Sequence, residues 1–267
     1  MALISSVRYS RSALRVATSV WRALFLREAI SRLSTSRTAW LWLLLEPIAH
    51  MSYLLVIFTV VRVSVVGGVN TGMWLLMGLI GFFMFRRTAV QSQHAINANK
   101  ALFTYRQVKP VDTVMVRAAL EGLLLLVAAS LLLLFYALLG KTDLPSDPLR
   151  VVLSLFGLWL IGLGFGLIAS VATALIHSLE KVFELIMMPL YFLSGVLVHT
   201  ASVPQPFRGW LLLNPITHGV ESARLGYAPA YNASSGNSMA YLYGCAIVLI
   251  FIGLALHRQF ARRLMMQ

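Results

Sequence analysis

The sequence predicts an all-α integral membrane protein: six transmembrane helices, an N-terminal amphipathic interfacial helix, and a re-entrant external hairpin between spans five and six. Three observations predict it. First, 59% of the 267 residues are hydrophobic and only 12% are charged, about half the charged share of a soluble domain, roughly 25%. That leaves too little polar surface to cover a globule in water, so lipid must be the solvent for much of it. Second, apolar stretches of spanning length recur along the chain. Third, Lys and Arg are unevenly placed: seventeen of the 22 fall on one side of a six-span path.

Residues 1–38 form the first unit, N-terminal and cytoplasmic or interfacial. They carry Arg8, Arg11, Arg15, Arg22, Arg27, Arg32 and Arg37 without a continuous apolar core, which excludes a cleavable signal. Leu14, Ala17, Trp21, Leu24, Phe25 and Glu28 follow a three-to-four residue repeat, so this stretch is predicted to lie as a helix in the membrane interface.

Residues 39–267 form the six-helix domain. Its spans are predicted at 39–61, 73–88 with a preceding turn, 117–140, 151–176, 182–198 and 238–257. Between the last two, residues 200–231 hold Pro204, Pro206, Pro215 and Pro229 around the apolar run from Trp210 to Leu213. That run is too short to cross, and a hairpin packed against protein would keep its backbone groups satisfied. With six spans both termini share a side, and the excess of Lys and Arg there places them in the cytoplasm. The net charge of +13 fits the same bias together with anionic headgroups. With no basic domain outside the spans, nucleic acid is not an expected partner. The lone Cys245 can form no intrachain disulfide and reads as an apolar packing residue.

Glu46 is the most informative residue. A carboxylate within a span is costly unless paired or wet. On a helix, Trp42, Glu46, His50 and Tyr53 share one stripe, beside Pro47. Two readings stand: a polar, aromatic-lined wall of a pathway, with Tyr191 on the fifth span opposite, or a Glu46 paired inside its own subunit. After the second span, residues 91–113 mix polar, apolar and aromatic groups, helix-compatible to Phe103 and broken by Pro110. They read as a docking element. Gly162, Gly166 and Ser170 form a stripe at four-residue spacing that lets helices approach closely. Glu180 and Glu184 suit the start of the fifth span. Asp143, Pro145, Asp147 and Pro148 form an external turn. No metal-ligand set and no catalytic constellation is read from the sequence. No G-x-x-x-x-G-K-[ST] motif occurs, so the chain has no phosphate-cradling loop of that type.

The segments Phe25-Leu26-Arg27-Glu28, Trp42 through His50 with its Glu-Pro-x-x-His, Asn99 through Phe103, Tyr105 through Thr113, Pro189 through Phe192, and Leu213-Asn214-Pro215 with His218 through Glu221 resemble one family. It is the membrane subunit of capsular-polysaccharide ABC exporters, the KpsM-like permeases of the type-2 ABC transporter class. The resemblance covers nearly the whole chain. The first 20 residues, rich in Ser and Arg, depart from it.

The resemblance implies a permease, not an enzyme, in the bacterial inner membrane, exporting lipid-ended polysaccharide for capsule biogenesis. It implies a homodimer, two separate ATP-binding cassette subunits that bind ATP and Mg, and periplasmic and outer-membrane export components, with no cofactor in this chain. The expected substrate pathway takes Trp42, Glu46, His50, Tyr53, Trp74, Phe82, Phe85, Trp159 and Tyr191, since aromatic rings stack on the C–H faces of sugars. Expected coupling residues are Arg27, Glu28, Asn97, Asn99, Lys100, Phe103, Tyr105 and Lys109. Rival readings are an exporter of O-antigen, teichoic acid or drug, and a secondary transporter or membrane enzyme acting on lipid-linked sugar.

Overall fold

The computed structural model describes residues 13–34, 39–60, 65–105, 107–138 and 145–266. Eleven α-helices occur among them: α1 (Ala13–Ser34), α2 (Ala39–Val60), α3 (Thr71–Gln93), α4 (Ala95–Ala98), α5 (Pro110–Leu138), α6 (Pro148–Leu175), α7 (Leu179–Leu193), α8 (Phe207–Leu211), α9 (Pro215–Tyr227), α10 (Met239–Gln259) and α11 (Ala261–Met265). A two-stranded antiparallel hairpin, β1 (Val65–Val66) and β2 (Val69–Asn70), precedes α3. Its turn uses Gly67 and Gly68 at φ 58° and 86°, where a side chain would be strained. A Cβ on Gly68 would also lie 2.6 Å from the Ala230 carbonyl oxygen.

Helix starts are written into the sequence. Asn70 caps α3 by accepting from the Gly72 amide at 2.9 Å, and Asp147 caps α6 from the Arg150 amide at 3.0 Å. Asn214 does the same for α9, and Ser238 for α10. Pro148 and Pro215 sit in the first turns of their helices, where a missing N–H costs nothing. Of the expected turn, Asp147 and Pro148 start α6, and Asp143 lies outside the described residues.

Among the described residues, four helices are long and apolar enough to cross a membrane: α3, α5, α6 and α10. The chain is an all-α, multi-pass membrane protein by that measure. α2 matches them in length and contains the apolar segment Ile48–Phe58. α7 has only 15 residues.

Three helix bounds differ from expectation for identifiable reasons. α3 runs on past the expected 88 to Gln93, carrying Arg86 and Arg87 well inside the helix. Arg87 lies 3.6 Å from the buried carboxylate of Glu121 on α5, which offsets its charge. α5 begins at Pro110, well before the expected 117, because Pro is favourable in a first helical turn. α7 stops at Leu193 although apolar sequence continues to Val198, because Gly195 takes φ 69° and leaves the helix.

α6 is the central helix, packed on α3, α10 and α9. Its small residues divide the work. A Cβ on Gly162 would lie 2.7 Å from the Phe85 carbonyl oxygen, and one on Gly166 would lie 2.3 Å from Ser92 Cβ, so both face α3. Gly164 faces α10 instead, where a Cβ would lie 2.7 Å from Leu249. The predicted stripe is a close helix contact, as in lipid generally. One apolar core surrounds α3, and a second forms at the end of the bundle that carries α4.

Candidate functional site

α2, α3 and α7 enclose a cavity of about 570 Å³. Its lining includes His50, Tyr53 and Phe58 from α2, Phe82, Phe83 and Arg86 from α3, and Glu184, Met187, Tyr191 and Phe192 from α7. His50 Nε2 and the Tyr191 hydroxyl are hydrogen-bonded at 2.8 Å, joining α2 to α7 across the cavity. The ring centroid of Tyr191 is 5.0 Å from that of Phe82, edge to face, and His50 meets Phe83 at 5.9 Å. Such contacts fix ring orientation. The result is an aromatic wall with two polar handles, and a cation and a carboxylate in the same lining. It can stack flat apolar faces and hydrogen-bond their hydroxyls.

The structure brings His50, Tyr53, Phe82 and Tyr191 of the expected pathway together in this cavity. Trp42 and Glu46 lie on α2, but their side chains fall outside the described residues. Trp74, Phe85 and Trp159 go elsewhere. Trp74 is fully buried with the Arg224 guanidinium 4.1 Å above its ring. Phe85 is buried against Phe165. Trp159 donates from Nε1 to the Ala118 carbonyl at 2.8 Å and stacks on Phe156. A face of one helix is readable in sequence, but a partner on another helix is not. Phe83, Arg86 and Met187 were missed for the same reason.

The expected coupling residues gather where α1 crosses the start of α5. The Trp21 indole donates to Asp112 Oδ1 at 2.9 Å, Arg117 meets Glu28 at 3.2 Å, and Arg27 donates to the Asn99 side chain. Asn99 is buried and also donates to the Ala95 carbonyl at 2.8 Å. Ile96 and Phe103 turn inward, into the second core with Val114 and Leu167. Their side chains hold the segment to the bundle and are not offered to a docking partner. Lys100, Tyr105 and Lys109 are exposed, and Asn97 is partly so.

A further polar cluster was not legible as such. Arg224 on α9 is fully buried and donates to three carbonyls: Trp74 at 3.1 Å, Gly195 at 2.7 Å and Val196 at 3.0 Å. Its Nη1 is also 3.3 Å from Glu221 Oε1. Glu221 accepts from the Tyr231 hydroxyl at 2.7 Å and the Ser234 amide at 3.3 Å. Burial pushes the Tyr231 phenol above its ordinary pKa, so it stays a neutral donor. The sequence signal was there: an acid and a base three apart on a helix of small and apolar residues.

A profile of the ABC-2 type transporters matches residues 19–227. The chain belongs to that family. It is 38% identical over 249 residues to the polysialic acid transport protein KpsM of Escherichia coli, covering 93% of this chain and 96% of that one. It is 26% identical over 240 residues, 90% of each chain, to the capsule polysaccharide export inner-membrane protein CtrC of Neisseria meningitidis serogroup A. An O-antigen export system permease protein, RfbA of Klebsiella pneumoniae, is 24% identical over 240 residues, 87% of this chain and 88% of that one. The family match takes in α2, α3 and α7, and so the whole aromatic cavity.

Proposed function

We propose that this chain is the permease subunit of an ATP-driven exporter that moves lipid-ended capsular polysaccharide across the bacterial inner membrane. The observation that carries the reading is the near end-to-end likeness to a polysialic acid transport protein. Two copies pair around a conduit, and two separate ATPase subunits bind ATP and Mg and drive it. Periplasmic and outer-membrane components take the polymer onward.

In this reading α2, α3, α5, α6, α7 and α10 are the six spans, and both termini are cytoplasmic. At 1.5 Å per residue α7 covers about 22 Å, short of a hydrocarbon core of about 30 Å. The irregular chain after it completes the crossing, supported by Arg224 on its carbonyls. α8 and α9 are the re-entrant hairpin, and the burial of most of α9 suits backbone that turns back within protein. α1 lies in the interface, supported by exposed Trp21, Leu26 and Ile30 on a helix tied to α5.

The cavity face of α2 and α7 lines the conduit, with Tyr53 and Tyr191 stacking on pyranose rings and the buried Phe82 backing Tyr191. Cysteine at Trp42 or Tyr53, on a Cys245→Ser background, tests this. Both positions should react with small aqueous thiol reagents in membranes, and bulky adducts there should stop capsule export. Unreactive positions with unimpaired export after labelling would remove α2 from the conduit. O-antigen is the second cargo reading, favoured by the likeness to an O-antigen permease. Restoring capsule, but not O-antigen, to strains that lack their own permease decides between them.

A further inference from the structure

Outside the cavity, one cluster has the chemistry of a metal site. His94 sits at the turn between α3 and α4. Glu180 and Glu184 lie in the first two turns of α7, one turn apart and therefore on one face. One donor atom from each of His94, Glu180 and Glu184 lies within 4.8 Å of the others. His177, in the turn before α7 and 88% exposed, stands beside Glu180 on its other carboxylate oxygen.

The distances matter. His94 Nδ1 is 3.5 Å from Glu180 Oε1, and His177 Nδ1 is 3.5 Å from Glu180 Oε2. These are longer than ordinary hydrogen bonds, which close at about 2.7–3.2 Å. They match the spacing of neighbouring donors around a tetrahedral ion: with metal–ligand bonds of about 2.0–2.1 Å, adjacent ligands are about 3.4 Å apart. Two imidazoles thus address the two oxygens of one carboxylate, each at ligand spacing, with a second carboxylate close by. Mixed imidazole and carboxylate donors suit Zn2+ and its first-row neighbours better than Mg2+ or Ca2+, which favour all-oxygen shells.

The setting admits an ion. His94, His177 and Glu180 border an open cleft of about 470 Å³, lined also by Asn97, Lys100 and Thr173, while Glu184 lies on the side of the aromatic cavity. His94 and Glu180 are 31% and 28% exposed, reachable from water yet partly held, and Glu184 is exposed. Lys100 in the cleft and Arg86 in the cavity next to Glu184 are the cations that oppose a dication.

We propose that His94, Glu180 and Glu184, assisted by His177, form a transition-metal site of the Zn2+ class that clamps the α3–α4 turn to the start of α7. It ties two segments that otherwise meet only lightly, and it depends on no part of the transport reading. The site escapes the sequence because its ligands lie on different elements, with His94 and Glu180 far apart in the chain.

The test uses the full-length protein, freed of any affinity tag and held in nanodiscs, with Zn2+ as the probe in competition with a chromophoric chelator. One Zn2+ per chain is expected. His94→Ala and Glu180→Gln should each weaken Zn2+ binding at least tenfold while the gel-filtration profile stays unchanged. Co2+ in the same site should give the visible bands of tetrahedral coordination in the unsubstituted protein and lose them in His94→Ala. Absence of stoichiometric Zn2+, or equal Zn2+ affinity in both variants and the unsubstituted chain, would reduce the cluster to a histidine–carboxylate ion pair and overturn the proposal.

Discussion

Arg224→Met is the sharpest perturbation of the fold. Methionine approximates the aliphatic part of the side chain and removes the guanidinium. Left behind are the carbonyls of Trp74, Gly195 and Val196 and the carboxylate of Glu221, all inside protein. Removing one partner of a buried ion pair costs about 3–5 kcal/mol. Each stranded carbonyl adds up to about 1–3 kcal/mol, less where water enters or the chain relaxes, so a loss of about 4 kcal/mol is a lower-range expectation. Glu221→Gln should cost less, because the amide oxygen can still accept from Tyr231 and Arg224 keeps its three carbonyls. The double variant should be more stable than the sum of the two losses by at least about 1 kcal/mol, the signature of direct coupling. SDS-titrated unfolding of the purified protein, followed by tryptophan fluorescence, reads all three. A loss below about 1 kcal/mol for Arg224→Met, or strict additivity, would refute the view that this cluster holds the end of α7 to α3 and α9.

Gly166→Ala should destabilise by about 1–3 kcal/mol through overpacking, because its Cβ would fall 2.3 Å from Ser92 Cβ. Ser92→Gly in the same chain should recover most of that loss in the same unfolding titration. On the coupling face, Lys100→Ala with Tyr105→Ala should leave folded yield unchanged and lower export per ATP hydrolysed, measured in reconstituted vesicles. Phe103→Ala should instead cost about 3–5 kcal/mol of stability, since its ring is in the core. Equal loss of yield in both would contradict the division between exposed and buried residues. For topology, cysteines at Ser5 and Gln267 on the Cys245→Ser background should be shielded from external reagent in intact cells. One at Ser146 should react, and the reverse pattern would invert the orientation.

Among the described residues, hydropathy located the apolar helices α2, α3, α5, α6 and α10, and a three-to-four residue period located the charged α1. Both failed where a tertiary partner overrides the local signal. The second span was expected to end at 88, just past Arg86 and Arg87, yet α3 runs to Gln93, with Glu121 from another helix meeting Arg87. Leu197 and Val198 looked like the end of the fifth, yet the helix had already stopped, with Arg224 holding the carbonyls of Gly195 and Val196. The site divides the same way. His50 and Tyr53 share a helix face and were legible by spacing, and Tyr191 was placed opposite them. Trp74 carries the same chemistry as a sugar-stacking ring, but its surroundings are set by a residue 150 positions away. No local pattern encodes that.

The distribution of packing bears on how a conduit can work. α3, α6, α9 and α10 are locked by glycines whose Cβ atoms would collide with neighbours: Gly219 on Leu158, Gly162 and Gly166 on α3, Gly164 and Gly253 at the α6–α10 contact. Close-packed helices of this kind transmit force and resist deformation. α2 and α7 are different. Met187 is the one buried residue of α7, Leu54 the one among the described side chains of α2, and both helices expose large apolar side chains such as Tyr53, Val56, Leu185 and Met188. The cavity lies between these lightly held helices and α3, and the His50–Tyr191 hydrogen bond is a polar tie across it. A helix with few buried neighbours can shift at low cost, whereas one in a glycine-locked core cannot. On the proposed function, then, the wall that must open for a polymer is built from α2 and α7. In the same proposal α1, tied to α5 through Asp112 and Arg117 and preceding α2 in sequence, pulls on that wall from the end where the ATPase docks.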